Sequence, residues 1–122
     1  IHQAELTAQF LAKEKISAIY SSDLLRAVQT AEPLAKLLDQ EIITTSDFRE
    51  RHVGVLEGLT FDEAKEQYPN DYYALVNRKI SHVITDGESY RQLLNRTMKT
   101  LRQILREHRG KKVVIYSHTG AI

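Results

Sequence analysis

The sequence predicts an α/β fold with a mostly parallel sheet, because three short β-rich runs are separated by stretches of helical pattern. These runs are Ile16–Tyr20, Glu41–Thr45 and Val113–Tyr116. Between the first two, apolar residues recur at spacings of three and four over residues 24–38, which is typical of an amphipathic helix. A strand, a helix and a strand in this order form a βαβ unit, and that unit requires parallel pairing.

The composition indicates a single globular domain. The chain has 122 residues, of which 42% are hydrophobic and 27% charged. We therefore expect one domain over residues 1–122. The net charge of +1 gives no reason to expect nucleic acid or a membrane as a partner. The sequence has no cysteine and no apolar run long enough to span a bilayer, which fits a cytoplasmic protein.

The first half of the chain contains two predicted helices. Residues 3–14 combine good helix formers with a loose helical pattern, and residues 24–38 form the amphipathic helix described above. The polar residues 21–23 are candidate N-caps for this second helix. Pro33 lies inside it and predicts either a kink or the start of a second helical segment.

The second half begins with a loop and a short capped helix. Thr60 and Glu63 form a capping-box pattern, and the helix that they open should end near Pro69. Residues 70–87 are polar and without clear periodicity, so we predict an irregular lid. The clearest amphipathic helix then starts at Glu88 or Ser89 and precedes the last strand.

Three residues suited to phosphate chemistry follow the three predicted strands. Arg26, Glu50 and His118 each come shortly after a strand end, and parallel strands bring their carboxyl ends to one edge of the sheet. An arginine fork matches phosphate oxygens. A histidine can attack phosphorus or donate to an oxyanion, and a carboxylic acid can protonate a leaving alcohol. The arrangement predicts a phosphoryl-transfer site.

Other side chains compete for these roles or have simpler interpretations. Asp47 and Glu57 share the loop of Glu50 and could replace it as the acid. Glu88 either caps a helix or contacts substrate. His82 is interpreted as a surface residue of the predicted lid, with contact to substrate as the alternative. The last helix also carries a basic stripe, interpreted as a solvated face: Lys99, Arg102, Arg106 and Arg109.

Four motifs of the chain together resemble the histidine phosphatase superfamily, also called the phosphoglycerate-mutase-like family. They lie within Tyr20–Glu32, Arg49–Gly58, Asp86–Ser89 and Ser117–Gly120, in the order in which the family has them. The resemblance covers nearly the whole chain. It implies a three-layer α/β/α fold with a mostly parallel central sheet.

The resemblance also implies a role for each matching residue. Arg26 corresponds to the second phosphate-binding arginine, Glu50 to the proton donor, and His118 to the second histidine, which contacts the phosphoryl group and stabilises its charge. Thr119 is expected to bind the phosphate together with Arg26 and His118, although it stands where the family often has glycine and would crowd the bound phosphate slightly. The family needs no metal and no cofactor, so none is expected.

One element of the family pattern is missing from the sequence. The family's nucleophile is a histidine in an Arg-His-Gly motif at the end of the first strand, and no such motif occurs here. His52 lies in the acid loop and cannot take that part. We therefore expect residues 1–122 to be incomplete at both ends and inactive alone, and the intact protein to be an enzyme.

Three features favour the phosphatase branch of the family over the mutase branch. Val53 stands where mutases have an aromatic residue, and Gly120 where they have asparagine. The predicted lid, Leu59–Asp86, is short, and Arg78–Lys79 is its only basic pair. Mutases instead use a long basic lid to hold the carboxylate of their substrate.

We therefore predict a phosphomonoesterase that acts through a phosphohistidine on small sugar or metabolite phosphates. Fructose-bisphosphate-type, α-ribazole-phosphate and broad-specificity substrates all lie within reach. Two alternatives stay open. One is a phosphoglycerate mutase, and the other is a non-catalytic module that binds a phosphorylated ligand or a protein partner. The expected partner is a small phosphorylated metabolite, and a homodimer is left open.

Overall fold

The computed structural model describes residues 2–119, which form two compact units. The first unit runs up to Glu50 and resumes at Thr97, and the second comprises Arg51–Arg96. The prediction of a single domain over residues 1–122 stays a prediction. Between His2 and Thr119, no helix has both the length and the apolar character needed to cross a bilayer.

The described residues form five α-helices and three β-strands in a mixed order along the chain. The strands are β1 (Ile16–Ser22), β2 (Ile42–Thr45) and β3 (Lys112–Tyr116). The helices are α1 (His2–Leu11), α2 (Leu25–Leu38), α3 (Phe61–Gln67), α4 (Pro69–Val76) and α5 (Tyr90–Glu107).

The sheet lies in the first unit and is entirely parallel over the part of the chain that the structure describes. Its strand order is β2-β1-β3. Tyr20 at the centre pairs with Ile43 on one side and Ile115 on the other. The register against β3 shifts between Ile16 and Ala18. The predicted α/β class and the parallel βαβ unit are confirmed.

Helices cover the sheet of the first unit on both faces. A cluster of buried residues joins β1 to α1 and α2, namely Ala8, Ile19, Ala31 and Leu34. A second cluster joins β1 to α5 and to the segment after β2, namely Ala18, Tyr20, Phe48 and Ile104. Because successive side chains of a strand point to opposite faces, Ile19 and its neighbours Ala18 and Tyr20 belong to different layers. This is the three-layer α/β/α arrangement.

Helix α2 corrects the prediction that residues 21–23 cap its N-terminus. Strand β1 extends through Ser22, and Leu24 is the N-cap, without a side-chain hydrogen bond. The side chains of Ser21 and Asp23 bind the Ser22 carbonyl and Arg49, respectively. Ser22 Oγ accepts from the Leu24 N–H at 3.3 Å and also lies 2.9 Å from His118 Nε2. Pro33 neither splits nor ends the helix. The buried residues Ala31 and Leu34 on either side of it pack on the sheet and outweigh the lost backbone hydrogen bond.

The second unit corrects the prediction of an irregular lid over residues 70–87 in its first part, because residues 70–76 lie in α4, whereas residues 77–87 form no helix or strand, as predicted. Pro69 begins α4 instead of only ending α3, since proline suits the first helical turn, where its missing N–H leaves no bond unmade. Helix α4 is then held by burial of its apolar side. Ala74 is buried, and Tyr72 and Leu75 pack against the unit's core of Leu56, Ala64 and Ile84.

Both helix starts predicted for the second half of the chain are confirmed. Thr60 Oγ1 accepts from the Glu63 N–H at 3.2 Å, and Glu63 Oε1 accepts from the Thr60 N–H at 3.1 Å, which completes the capping box of α3. Helix α5 has the same reciprocal pattern between Ser89 and Gln92, with distances of 3.0 and 2.8 Å.

Two segments of the second unit lie backbone against backbone. The Val55 N–H donates to the Thr85 carbonyl at 3.0 Å, and the Glu88 N–H donates to the His52 carbonyl at 2.8 Å. A Cβ built on Gly54 would lie 2.1 Å from the Thr85 carbonyl oxygen. Any other residue would bring its Cβ into the Thr85 backbone, so the packing of the two segments requires Gly54.

Candidate active site

A pocket of about 410 Å³ lies in the first unit, where β3 ends and α2 begins. The predicted site residues Arg26, Glu50, His118 and Thr119 all line it. The rest of its described lining consists of Ala27, Thr30, Tyr116 and Ser117. The structure thus brings the predicted residues together, as expected for the carboxyl edge of a parallel sheet. Their chemical roles stay predictions.

Arg26 is the second residue of α2 and exposes its side chain to the pocket. The first N–H groups of a helix have no partner within the helix and give its start a partial positive charge. One turn later, Thr30 also lines the pocket, and its Oγ1 donates to the Arg26 carbonyl at 2.9 Å. The guanidinium and the helix start therefore make this side of the pocket attractive to anions.

The segment that carries Glu50 is anchored to β3 and to α5. Phe48 is only 2% exposed, and its carbonyl accepts from Ser117 Oγ at 2.7 Å. The Asp47 carboxylate accepts from Thr100 Oγ1 at 2.6 Å. Asp47 is thereby engaged with α5, which weakens its claim to be the acid in place of Glu50.

A third anchor of the same segment is an ion pair beside Glu50. Arg49 donates through Nε and Nη2 to the two carboxylate oxygens of Asp23, at 2.6 and 2.7 Å. This hydrogen-bonded pairing lowers the pKa of Asp23 and raises that of Arg49. The pair joins the turn after β1, which leads to Arg26, to the segment that carries Glu50. It therefore holds together two chain segments that contribute residues to the pocket. Glu57, the other competing acid, belongs to the second unit.

His118 is buried at the end of β3, with 8% of its surface exposed. Its Nε2 lies 2.9 Å from Ser22 Oγ. Burial lowers the pKa of His118 below its ordinary value of 6.5, the positive charge of Arg26 lowers it further, and Glu50 acts in the opposite direction. The imidazole is therefore neutral at neutral pH.

Ser22 is a residue that sequence reasoning placed in the wrong role. It was predicted as a helix cap, but it is fully buried, and its hydroxyl contacts His118. Ser117 was likewise not predicted to fix the acid segment. The sequence signal that could have indicated these contacts is a serine at the end of an apolar strand. A hydroxyl that is buried with its strand needs a hydrogen-bond partner.

Several other predicted features have a simple place in the structure. His82 is half-buried rather than a surface residue, and its Nε2 lies 2.6 Å from Oδ1 of the buried Asp71. Glu88 forms an ion pair with Arg96 at 2.8 Å and accepts from the His52 N–H at 2.9 Å. Gly120, used above to separate phosphatase from mutase, lies outside the described residues.

The pocket chemistry fits a phosphate monoester. A guanidinium and a helix start can bind the oxygens, a buried neutral imidazole can donate or accept a proton, and a carboxyl group stands nearby. Within residues 2–119, no group of three or more histidine or acidic side chains is arranged to hold a metal ion.

Comparison with known proteins gives one family and several relatives. Residues 1–122 match the histidine phosphatase superfamily (branch 1). The chain is 41% identical over 98% of its length to a phosphoglycerate mutase-like protein 4 of Arabidopsis thaliana, and 40% identical over 100% to a metal-independent phosphoserine phosphatase of the same plant. It covers 54% and 52% of these two proteins, so it spans about half the length of the curated relatives it matches.

A solved structure agrees with the observed fold. The native structure of a mycobacterial glucosyl-3-phosphoglycerate phosphatase superposes with a TM-score of 0.85 at 26% sequence identity. The match covers 99% of this chain and 60% of the mycobacterial chain.

Proposed function

Because this chain belongs to the histidine phosphatase superfamily, branch 1, we propose that the protein containing it hydrolyses small phosphomonoesters through a phosphohistidine. The observation that carries the proposal is the convergence of Arg26, Glu50 and His118 in one pocket of the first unit. These residues come from three separate parts of the sequence, and each is suited to a different part of phosphoryl transfer.

In the proposed reaction, a histidine nitrogen attacks phosphorus and the ester P–O bond breaks. Glu50 gives its proton to the leaving alcohol. Water then attacks phosphorus, the P–N bond breaks, and Glu50 takes up a proton from the water as inorganic phosphate forms. The nucleophile is the family's Arg-His-Gly histidine, which the proposal places outside residues 1–122.

Arg26 and His118 act on the phosphoryl group in both steps. Arg26 holds its oxygens with a planar fork, which orients phosphorus for attack along the line of the leaving group. His118 donates a hydrogen bond to an oxygen on which charge grows. Thr119 lies at the pocket rim as an exposed residue and limits the space beside the phosphate.

The proposed substrates are phosphate esters of small sugars or related metabolites. Relatives of this chain are described as a phosphoserine phosphatase and a glucosyl-3-phosphoglycerate phosphatase. Both of those names specify a phosphate ester with a carboxylate elsewhere in the molecule. Phosphoserine and glucosyl-3-phosphoglycerate are therefore the first compounds to test, together with neutral sugar phosphates.

The test is release of inorganic phosphate by the full-length protein from this panel of esters. We expect turnover of at least one ester, and Arg26→Ala should lower kcat/KM about a hundredfold, because the arginine supports the transition state. The matched control is Arg102→Ala, which removes an exposed arginine of α5 that is not among the described pocket residues. If both substitutions changed kcat/KM equally, the assignment of Arg26 to the active site would be wrong.

A phosphoglycerate mutase is the second candidate, because the relative at 41% identity is named mutase-like. It predicts transfer of phosphate from bisphosphoglycerate to monophosphoglycerate faster than release of inorganic phosphate. We expect hydrolysis to be faster. Binding of inorganic phosphate without turnover of any ester would instead support the non-catalytic module and contradict the proposed activity.

A further inference from the structure

We infer that Ser22 is a positioning residue that holds neutral His118 in the tautomer with its proton on Nδ1. The structure brings the buried Ser22 hydroxyl within 2.9 Å of Nε2 of His118, and His118 lines the pocket. The inference deepens the proposed function, since it says how the imidazole becomes a donor at that site without carrying charge.

Ser22 and His118 form a buried pair. Ser22 has no exposed surface and His118 has 8%. Water therefore does not complete the hydrogen bonds of the serine hydroxyl. In such a place, an unpaired donor or acceptor costs the free energy of its lost hydration. The hydroxyl proton of Ser22 must then go to an acceptor within the protein.

Ser22 Oγ lies between one backbone donor and one imidazole nitrogen. Among the described residues, its contacts are the Leu24 N–H at 3.3 Å and His118 Nε2 at 2.9 Å. Leu24 is a donor, so it occupies a lone pair of the hydroxyl oxygen and cannot receive the proton. His118 Nε2 is left as the acceptor for the hydroxyl proton.

A neutral imidazole ring has one protonated and one unprotonated nitrogen, and the bond made by one nitrogen sets the state of the other. If Nε2 accepts from Ser22, the proton is on Nδ1. Among residues 2–119 the structure shows no hydrogen bond at Nδ1, and His118 lines the pocket, so the inference assigns the Nδ1–H to a ligand bound there.

In the opposite tautomer, the buried Ser22 hydroxyl lacks an acceptor for its proton among the described residues. With a proton on Nε2, Ser22 Oγ would accept from both Leu24 and His118, and its own proton would have no acceptor among the described residues. The ring would then present a lone pair at Nδ1, which repels phosphate oxygens. Burial and the charge of Arg26 lower the pKa of His118, which favours the neutral ring over the doubly protonated one. The choice between the two neutral tautomers therefore remains.

The direct test is long-range ¹H–¹⁵N NMR of the histidine rings in the full-length protein at neutral pH. The His118 signals are identified by their loss in His118→Asn. We expect a protonated Nδ1 and an unprotonated Nε2. A protonated Nε2 in the unsubstituted protein would overturn the inference, and this result does not depend on the folding of any serine variant.

Serine variants give the second test. In Ser22→Ala we expect a mixture of tautomers and a fall in kcat of about tenfold, with KM changed less than kcat, because part of the donor function is lost. Ser22→Thr retains the hydroxyl and should retain the Nδ1–H form. The matched control is Ser21→Ala, which removes the neighbouring buried hydroxyl that donates to the Ser22 carbonyl at 2.8 Å. It should leave the tautomer unchanged.

The outcomes separate this inference from the proposed function. If the protein turns over phosphate esters while the Ser22→Ala tautomer and kcat equal those of Ser21→Ala, the positioning role is wrong and the phosphatase proposal stands. If no ester is turned over, the proposed function fails. The NMR spectrum of the unsubstituted protein still decides the tautomer in that case.

Discussion

His118 is subject to opposing electrostatic influences within one pocket. Burial and the charge of Arg26 lower its pKa, whereas Glu50 raises it. The net result is a neutral ring at neutral pH, so the positive charge of the pocket comes from Arg26 and from the start of α2. A neutral donor beside a fixed cation suits the proposed reaction, in which a phosphate ester binds and inorganic phosphate leaves.

The pKa of His118 should move in opposite directions in two single variants. Arg26→Ala removes a positive charge and should raise the pKa of His118, whereas Glu50→Gln removes a negative charge and should lower it. NMR titration of the ring in each variant measures both shifts. Arg102→Ala serves as the control and should leave the pKa unchanged. Shifts in the same direction in both pocket variants would contradict the electrostatic account.

At the scale of elements, glycine and proline carry structural information that depends on their surroundings. Pro69 begins α4, although a proline after a helix is also typical of a helix end. Gly54 and Gly58 both have positive φ, at 50° and 75°. Only Gly54 also lies against another backbone, that of Thr85. A comparison of the two glycines therefore separates the cost of a left-handed backbone angle from the cost of a clash with a neighbouring segment.

Substitution of these two glycines by alanine should have unequal effects. Gly58→Ala has open space around the new Cβ and should cost about 1 kcal/mol through its left-handed backbone alone. Gly54→Ala carries the same strain, and its Cβ would also overlap the Thr85 carbonyl, so we expect a loss of about 3 kcal/mol or more. Urea unfolding of both variants measures the difference. A loss for Gly54→Ala no greater than that for Gly58→Ala would be the contrary result.

At the scale of the whole molecule, the chain forms two compact units, each with its own buried apolar residues. The first unit contains the pocket, whose residues are distant in sequence and meet because three parallel strands end at one edge. The second unit contains the buried Asp71, whose carboxylate contacts the half-buried His82. Burial would raise the pKa of Asp71, but hydrogen bonds from His82 and Thr85 hold it below its ordinary value. This links the stability of the protein to pH.

The free energy of unfolding should fall in acid partly through Asp71. Its native carboxyl binds a proton less readily than the unfolded carboxyl, so the unfolded state takes up more protons as the pH falls. The contribution is present above the ordinary pKa of 3.8 and is lost as the pH falls through the native value. Asp71→Asn should be less stable at pH 7 and should lose less stability on acidification.

Urea unfolding at several pH values measures this dependence. The control is Glu66→Gln, which neutralises an exposed carboxylate of α3 and should retain the pH dependence of the unsubstituted protein. An unchanged pH dependence in Asp71→Asn would show that other groups govern acid stability. Salt should have little effect on the Asp71 contribution, because the carboxylate is 6% exposed and its partners touch it directly.

The pattern of the sequence alone was enough for the fold class and for part of the pocket lining, whereas Ala27, Thr30, Tyr116 and Ser117 were not predicted to line it. The spacing of apolar residues indicated the strands and helices of the first unit, and parallel pairing placed Arg26, Glu50 and His118 at one edge. These predictions succeeded because burial and strand direction are expressed in local periodicity. The predicted capping box of Thr60 and Glu63 succeeded because both partners lie within one turn, whereas the reciprocal bonds of Ser89 and Gln92 were not predicted.

Only the tertiary structure decided what depends on contacts between distant segments. It assigned Ser22 to His118, Asp23 to Arg49 and Ser117 to the Phe48 carbonyl, pairs separated by 96, 26 and 69 positions. A short polar side chain can satisfy a helix start, a turn or a distant partner with similar energy, so its local sequence does not select among them. The burial of the surrounding chain makes that selection.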